Sequence, residues 1–262
     1  MIDIGVNLTN TRFDKDRDEL IARAKSAGIR AMLVTGTNIS ESHKALQLSA
    51  QYPDYLYTTA GIHPHDADNV SDNYLDDIRL LAKNKAVKAI GECGLDFNRN
   101  FSTPKQQEKV FAEQISLAAE LQLPLFLHQR DAFPVWFQLL SPYLTAVPAM
   151  VSHCFTGNEN ELNQCLSAGM YIGITGWVCD ERRGEPLQAL IPSIPLDRLM
   201  IETDAPYLTP RSIKPKPKSS RNEPSYLPYV IEKLAQLYQC HSDDIINATS
   251  ENARKVFNLG ER

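Results

Sequence analysis

The feature that most constrains this chain is an alternation. Short apolar runs are each followed by an amphipathic stretch of helical length, from one end of the 262 residues to the other. Eight runs have strand character: Ile2–Val6, Ala31–Thr35, Tyr57–Ile62, Val87–Glu92, Leu123–His128, Ala149–His153, Met170–Thr175 and Leu199–Asp204. Their spacing, roughly 20–45 residues, leaves room for a helical crossover between parallel strands. Eight such units fit a closed, TIM-like (β/α)8 barrel of the α/β class better than an open sheet. No fixed-period repeat or domain boundary interrupts the pattern, so one domain over residues 1–262 is expected, an ordinary length for such a barrel.

Local punctuation supports the helices. Asp14–Gly28 carries Leu20, Ile21 and Ala24 and stops at a glycine. Ser102 or Thr103 is placed to cap a helix that opens at Pro104 and runs to Leu121, with Gln106 positioned for a capping box. The segment Thr209–Pro224, rich in Pro, Lys and Ser, reads as a long loop. Helices over Pro228–Tyr238 and Asp243–Asn258 follow it and extend the barrel at its C-terminal end.

Composition sets the class and excludes some functions. With 43% hydrophobic and 23% charged residues the chain has apolar material for a sizeable core. No apolar run approaches the length of a membrane span. The first residues, MIDIGVNLTN, lack a signal-peptide pattern, so a cytoplasmic location and no membrane partner are expected. Five cysteines, none in CxxC spacing, signal neither a disulfide framework nor a cysteine zinc site. A net charge of −5 argues against broad non-specific nucleic-acid binding, yet a bound cation and a local basic patch are compatible with a nuclease.

The polar residues fall at strand ends. His63 follows the third run, Glu92 ends the fourth, His128 the fifth, His153 the sixth and Asp204 the eighth. Strand C-termini of a β/α barrel converge on one mouth, where active sites are built. A lone strand-end histidine or carboxylate is ordinarily a satisfied structural group. Several at one rim would be costly to pack unpaired, and a divalent cation accepts their lone pairs. Glu92, His128 and His153 are therefore assigned as metal ligands, with Asp204 and His63 as catalytic groups. Strand alternation turns Cys93 and Cys154 away from that site, as small core residues. His65 follows Pro64 in a loop setting that hides its direction, and His43 and His241 lie in helical patterns as surface residues.

Weaker candidates surround this set. Arg130 and Asp131 either orient His128 or form a structural ion pair. Trp177 either stacks a base or packs at the rim. Arg211, Lys214, Lys216, Lys218 and Arg221 lie in the loop after the last strand and are assigned as substrate-binding contacts to phosphate.

The ordered motifs GIHPHD, GECGLDF, LHQRDA, SHCFTG and IETDAPYL, with YIGITGWVCDERRG and RNEP, resemble the TatD family within the wider amidohydrolase-like metallohydrolases. The resemblance spans essentially the whole chain. It implies a TIM-like barrel, a divalent metal and 3′→5′ exonuclease action on single-stranded DNA and on RNA, compatible with DNA repair or turnover. It also implies magnesium as the working cofactor, with zinc or manganese as alternative occupants on ligand softness. The aspartate ending the family's eighth strand corresponds to Asp204, the general base or an extra ligand. Most members of the wider family open with a His-x-His pair that helps hold a second metal. Here the segment is Asp3-Ile-Gly5-Val-Asn7, leaving one well-furnished metal site. Single-stranded DNA or RNA is the expected partner, met by a monomer. Two rivals remain: a metal-dependent hydrolase of small amides or esters on the same barrel, and a barrel kept for binding alone.

Overall fold

A computed structural model describes residues 1–260. Eight strands form one sheet in sequence order: β1 (Ile2–Val6), β2 (Ala31–Val34), β3 (Leu56–Ala60), β4 (Val87–Asp96), β5 (Leu125–Arg130), β6 (Met150–Ser152), β7 (Tyr171–Ile174) and β8 (Leu199–Ile201). This is the strand order of a (β/α)8 barrel, as the alternation predicts. Every residue of β1, β2, β6, β7 and β8 is buried, which is why these strands read as unbroken apolar runs.

The chain divides into two compact units, Val34–His153 and the combination of Met1–Leu33 with Cys154–Arg262. In the unit Val34–His153, β3, β4, β5 and β6 pair in parallel. Helix α2 (Ile39–Gln51) precedes β3, and α3 (Tyr74–Ala82), α4 (Pro104–Leu121) and α5 (Phe133–Leu140) run between the strands. Trp136, Phe111 and Phe126 are fully buried there, each stabilising by roughly 1.5–3 kcal/mol relative to exposure.

In the other unit β7 pairs in parallel with β8. The end of β1 meets the segment after β8: the Asn7 amide donates to the Ala205 carbonyl at 2.8 Å, and the Asp204 amide to the Gly5 carbonyl at 2.8 Å. Its helices are α1 (Arg17–Ser26), α6 (Glu159–Ser167), α7 (Glu185–Leu190), α8 (Leu227–Tyr238) and α9 (Ser242–Phe257). The last two are the expected C-terminal additions. Among the described residues no helix is long and apolar enough to cross a membrane.

Some boundaries differ from the sequence expectation, for physical reasons. Helix α1 starts at Arg17 rather than Asp14, because a short 3-10 turn over Thr11–Phe13 precedes it. Thr103 occupies the N-cap of α4, but the capping box with Gln106 does not form. Its hydroxyl donates to Asp68 Oδ1 at 2.9 Å instead, and no side-chain cap bond is made. Strand β4 runs on to Asp96 and β5 to Arg130, so Glu92 and His128 lie within strands rather than at their ends. Strand β8 stops at Ile201, and Asp204 stands three residues beyond it with φ 51°.

Candidate metal centre

The centre is built on an irregularity in β4. Pairing with β5 passes from Gly91 opposite Phe126 to Cys93 opposite Leu127, so Glu92 is the extra residue of a β-bulge. The bulge aims the Glu92 carboxylate at three imidazoles. Its Oε1 lies 2.8 Å from His153 Nε2, 3.0 Å from His128 Nδ1 and 3.3 Å from His63 Nε2. His128 is carried by β5, His153 directly follows β6, and His63 precedes the short turn Pro64–Asn69 after β3. All four groups belong to the unit Val34–His153. Cys93 is buried with its Sγ toward the Phe126 carbonyl, in keeping with a core role.

A second carboxylate, absent from the sequence assignment, backs the first. Asp96 is buried, and its Oδ2 lies 2.8 Å from His65 Nε2 and 3.5 Å from His128 Nε2. Its Oδ1 accepts the backbone amides of Asn98 and Arg99. Two buried glutamines of α4 hold the surrounding backbone. Gln114 accepts the Ile62 amide at 2.7 Å and donates to the Ile62 carbonyl, fixing the approach to His63. Gln107 does the same for Asp96. A signal for Asp96 was present in strand alternation, since Asp96 lies two and four residues from Gly94 and Glu92. The glutamines occupy the apolar face of α4 seven residues apart, where a polar residue needs a buried partner.

The charges follow from this packing. Burial pushes the Glu92 carboxyl up, but His153, His63 and His128 together hold it well below the usual carboxylate range. Asp96 likewise resists burial and stays far below that range, through His128, His65 and the Arg99 amide. Burial lowers the His63 pKa, against the pull of Glu92. Its Nδ1 accepts the His65 amide N–H at 3.1 Å, so the neutral ring carries its proton on Nε2, the nitrogen facing Glu92. Burial also opposes charge on His128, yet the carboxylates of Asp96 and Glu92 raise its pKa overall.

The donor set fits a divalent cation. One carboxylate oxygen faces three imidazole nitrogens at once, more contacts than its lone pairs can direct well. His128 Nε2 is buried without a hydrogen bond, Asp96 standing slightly too far off to accept one. His63, Glu92 and His128 each offer a ligand atom, all within 4.8 Å of one another. Imidazole nitrogens around a carboxylate are the donors that first-row divalent metals take up.

The other sequence-assigned residues are placed as follows. Asp204 Oδ1 accepts the Asn7 side-chain amide at 3.0 Å. Nearby Asp3 is fully buried, accepting the Thr203 hydroxyl and the Thr203 and Gly5 amides, and burial pushes its pKa up to about 7. Arg130 and Asp131 are both exposed, and Asp131 accepts from Asn98 Nδ2 at 2.7 Å. His128 bonds to Glu92 at 3.0 Å and faces Asp96 at 3.5 Å, rather than these two. Trp177 lies in the short turn Gly176–Cys179, with the Arg183 guanidinium 4.8 Å over its ring, so a cation already covers one face. His43 and His241 are exposed, as expected.

The basic loop splits into two kinds of residue. Arg221 is forked onto Asp16 at 2.6 and 2.7 Å, and Arg211 Nε is 3.1 Å from Asp180. Both arginines therefore serve local ion pairs. Lys214, Lys216 and Lys218 are exposed. The end of the loop is pinned by Asn222, which donates to the Thr203 carbonyl at 2.9 Å, and by Glu223, which pairs with Arg23.

An α/β barrel with a buried carboxylate, a ring of imidazoles and a flanking aspartate defines a metal-competent hydrolase. The chain belongs to the TatD related DNase family, whose model matches residues 2–258, and with it to the hydrolases of ester bonds. It is 56% identical over 259 residues to the 3′-5′ ssDNA/RNA exonuclease TatD of Pectobacterium atrosepticum, covering 99% of this chain and 100% of that protein. Among solved structures, a TatD family hydrolase from Entamoeba histolytica matches with a TM-score of 0.90 and 28% identity, covering 99% of this chain and 98% of that one. A TatD homologue from Escherichia coli matches with a TM-score of 0.89 and 26% identity, over 99% and 98%.

Proposed function

We propose that this protein is a divalent-metal-dependent 3′→5′ exonuclease acting on single-stranded DNA and on RNA, with both units serving one catalytic domain that works as a monomer. The observation that carries the proposal is the convergence of His63, His128 and His153 on Glu92 Oε1, at 2.8–3.3 Å, in a member of this family. When bound, the metal supplies Lewis-acid polarisation of the phosphate and a lower pKa for the attacking water. Glu92, His128 and His153 would hold it. Glu92 engages His128 Nδ1 at 3.0 Å, and Asp96 faces its Nε2 from the other side at 3.5 Å. His63 is kept neutral by burial with its proton on Nε2, so it is suited to donate to a phosphate oxygen or to the leaving oxygen. Asp204, its carboxylate oriented by Asn7, is the general base that takes a proton from water. Lys214, Lys216 and Lys218 contact backbone phosphates; of the basic set, Arg211 and Arg221 instead shape the loop.

Magnesium is the proposed working cofactor, while the nitrogen-rich donor set should bind manganese or zinc more tightly. Gly5 and Asn7 provide no imidazole, so one tight ion per chain is proposed. The activity fits DNA repair or turnover. Digestion of end-labelled single- and double-stranded oligonucleotides, with and without added magnesium, tests the proposal. Stepwise shortening from the 3′ end, faster on single strands and abolished by chelation, is expected. Absence of metal-dependent nucleotide release would overturn it.

A further inference from the structure

The loop between β4 and α4 carries Phe101, one of the most exposed large hydrophobic side chains described, at 64%. Its position is not that of a stray surface residue. The Phe101 ring packs edge-on against His65 with centroids 4.7 Å apart. His65 in turn lies 4.3 Å from the His63 ring and 6.3 Å from the His128 ring. The exposed aromatic is thus two rings away from the imidazoles that face Glu92. The Arg99 guanidinium stands 5.9 Å from the Phe101 centroid, so a cation accompanies the ring.

The segment is also unusually well tied down for a loop. Asp96 Oδ1 accepts the amides of Asn98 and Arg99, and Asn100 Nδ2 donates to the Phe97 carbonyl at 2.8 Å. On the other side of Phe101, the Ser102 hydroxyl donates to the His65 carbonyl at 2.8 Å and accepts the Asp68 amide at 3.0 Å. Gln107 Nε2 donates to the Ser102 carbonyl at 2.9 Å. A lone exposed apolar ring is ordinary on a protein surface; this one is distinguished by standing on a pinned backbone against the imidazole cluster. A rigid backbone lowers the entropy lost when a ligand settles on the ring. An aromatic face beside a guanidinium is the pairing that takes an unstacked nucleobase and its phosphate.

We propose that Phe101 is a stacking platform for a nucleobase flanking the scissile phosphate, with Arg99 paired to the adjoining backbone. This rests on the exonuclease reading above and adds a specificity-determining residue to it. Single strands have bases free to stack, whereas duplex bases do not, so the platform gives a physical origin for single-strand preference. Phe101 forms no part of the metal group, and at 64% exposure its truncation removes no buried core contact.

The test compares kcat/KM on single-stranded oligonucleotides that are intact, abasic at the 3′-terminal position, or abasic at the penultimate one. Wild type should lose roughly tenfold or more at one of these positions, as expected for a lost base–aromatic stack. In Phe101→Ala that base preference should collapse to within about twofold, and Phe101→Trp should restore it. Unchanged base preference in Phe101→Ala, with active wild type, would overturn the platform and leave the nuclease reading standing. Wild type inactive on every oligonucleotide would instead overturn the nuclease reading, and the platform with it.

Discussion

Gly94 offers a direct test of whether the metal group depends on close approach between β4 and β5. It lies opposite His128 in the strand register, with φ +149°. A Cβ built there falls 1.8 Å from the His128 carbonyl oxygen, whereas contacts below 3.0 Å essentially do not occur. In Gly94→Ala the β5 backbone at His128 must therefore retreat by at least 3.0 − 1.8 = 1.2 Å, unless β4 moves by as much. The backbone strain of a side chain at such a φ adds about 1–3 kcal/mol, which in a chain of this size lowers Tm by roughly 3–10 °C. A displacement near 1 Å at a reacting group costs about 10²-fold in rate. We therefore expect Gly94→Ala to stay folded below its lowered Tm and to lose about two orders of magnitude in oligonucleotide turnover at saturating substrate. Metal affinity, followed by calorimetric titration with manganese, should fall with it. Gly260→Ala, where the added Cβ meets nothing within 4 Å, is the control. Turnover within about threefold of wild type, with unchanged metal affinity, would refute the argument that this glycine sets the position of His128.

Three further outcomes follow from the same structure. Glu92→Ala, His128→Ala and His153→Ala should each lose orders of magnitude in nuclease activity at saturating metal while keeping the barrel's circular dichroism; near-wild-type turnover in any one removes that residue from the ligand set. Asp3, with its pKa raised from 3.8 to about 7, binds more protons folded than unfolded, so the stability it contributes is fully present below about pH 3.8 and lost by the time pH passes about 7. Urea melts at pH 5 and pH 8 should show this decline in wild type and a smaller one in Asp3→Asn; identical declines would exclude Asp3 as its source. Replacing Lys216 and Lys218 by alanine in a His153→Ala background should flatten the log affinity against log salt slope for single-stranded oligonucleotide by about 1.4, and an unchanged slope would reduce the loop to a solvated surface.

Much of the barrel was legible in sequence because its strands are buried on both faces and therefore appear as apolar runs. The ends were less legible. Glu92 looked like a strand terminus, since the next residues, Cys93-Gly94-Leu95-Asp96, include no obvious strand continuation beyond a glycine. In the structure a bulge at Glu92 absorbs one residue and the strand continues to Asp96. Asp96 was thereby missed, although it is the carboxylate that fixes His65 and faces His128. The ion-pair partners of the basic loop's arginines were illegible for a different reason. Arg221 and Asp16 are 205 residues apart in sequence, and only the fold reveals that each is the other's partner.

Asn7 shows how one residue can be read correctly for its chemistry and incompletely for its role. From sequence it is an amide where the wider family places an imidazole, hence the loss of a metal ligand. In the structure that amide donates to Asp204 Oδ1, and the Asn7 and Asp204 backbones bond to Ala205 and Gly5 across the same junction. An imidazole coordinating a metal would have no proton to give from its ligating nitrogen, so it could not hold the carboxylate in this way from that atom. The asparagine therefore does more than lack an imidazole: it supplies a donor that directs the Asp204 carboxylate. The proposed single tight metal and the proposed aspartate base oriented by an amide both trace to Asn7, and Asn7→His should disturb both. If Asn7→His bound a second ion with full activity, the amide's positioning role would be dispensable.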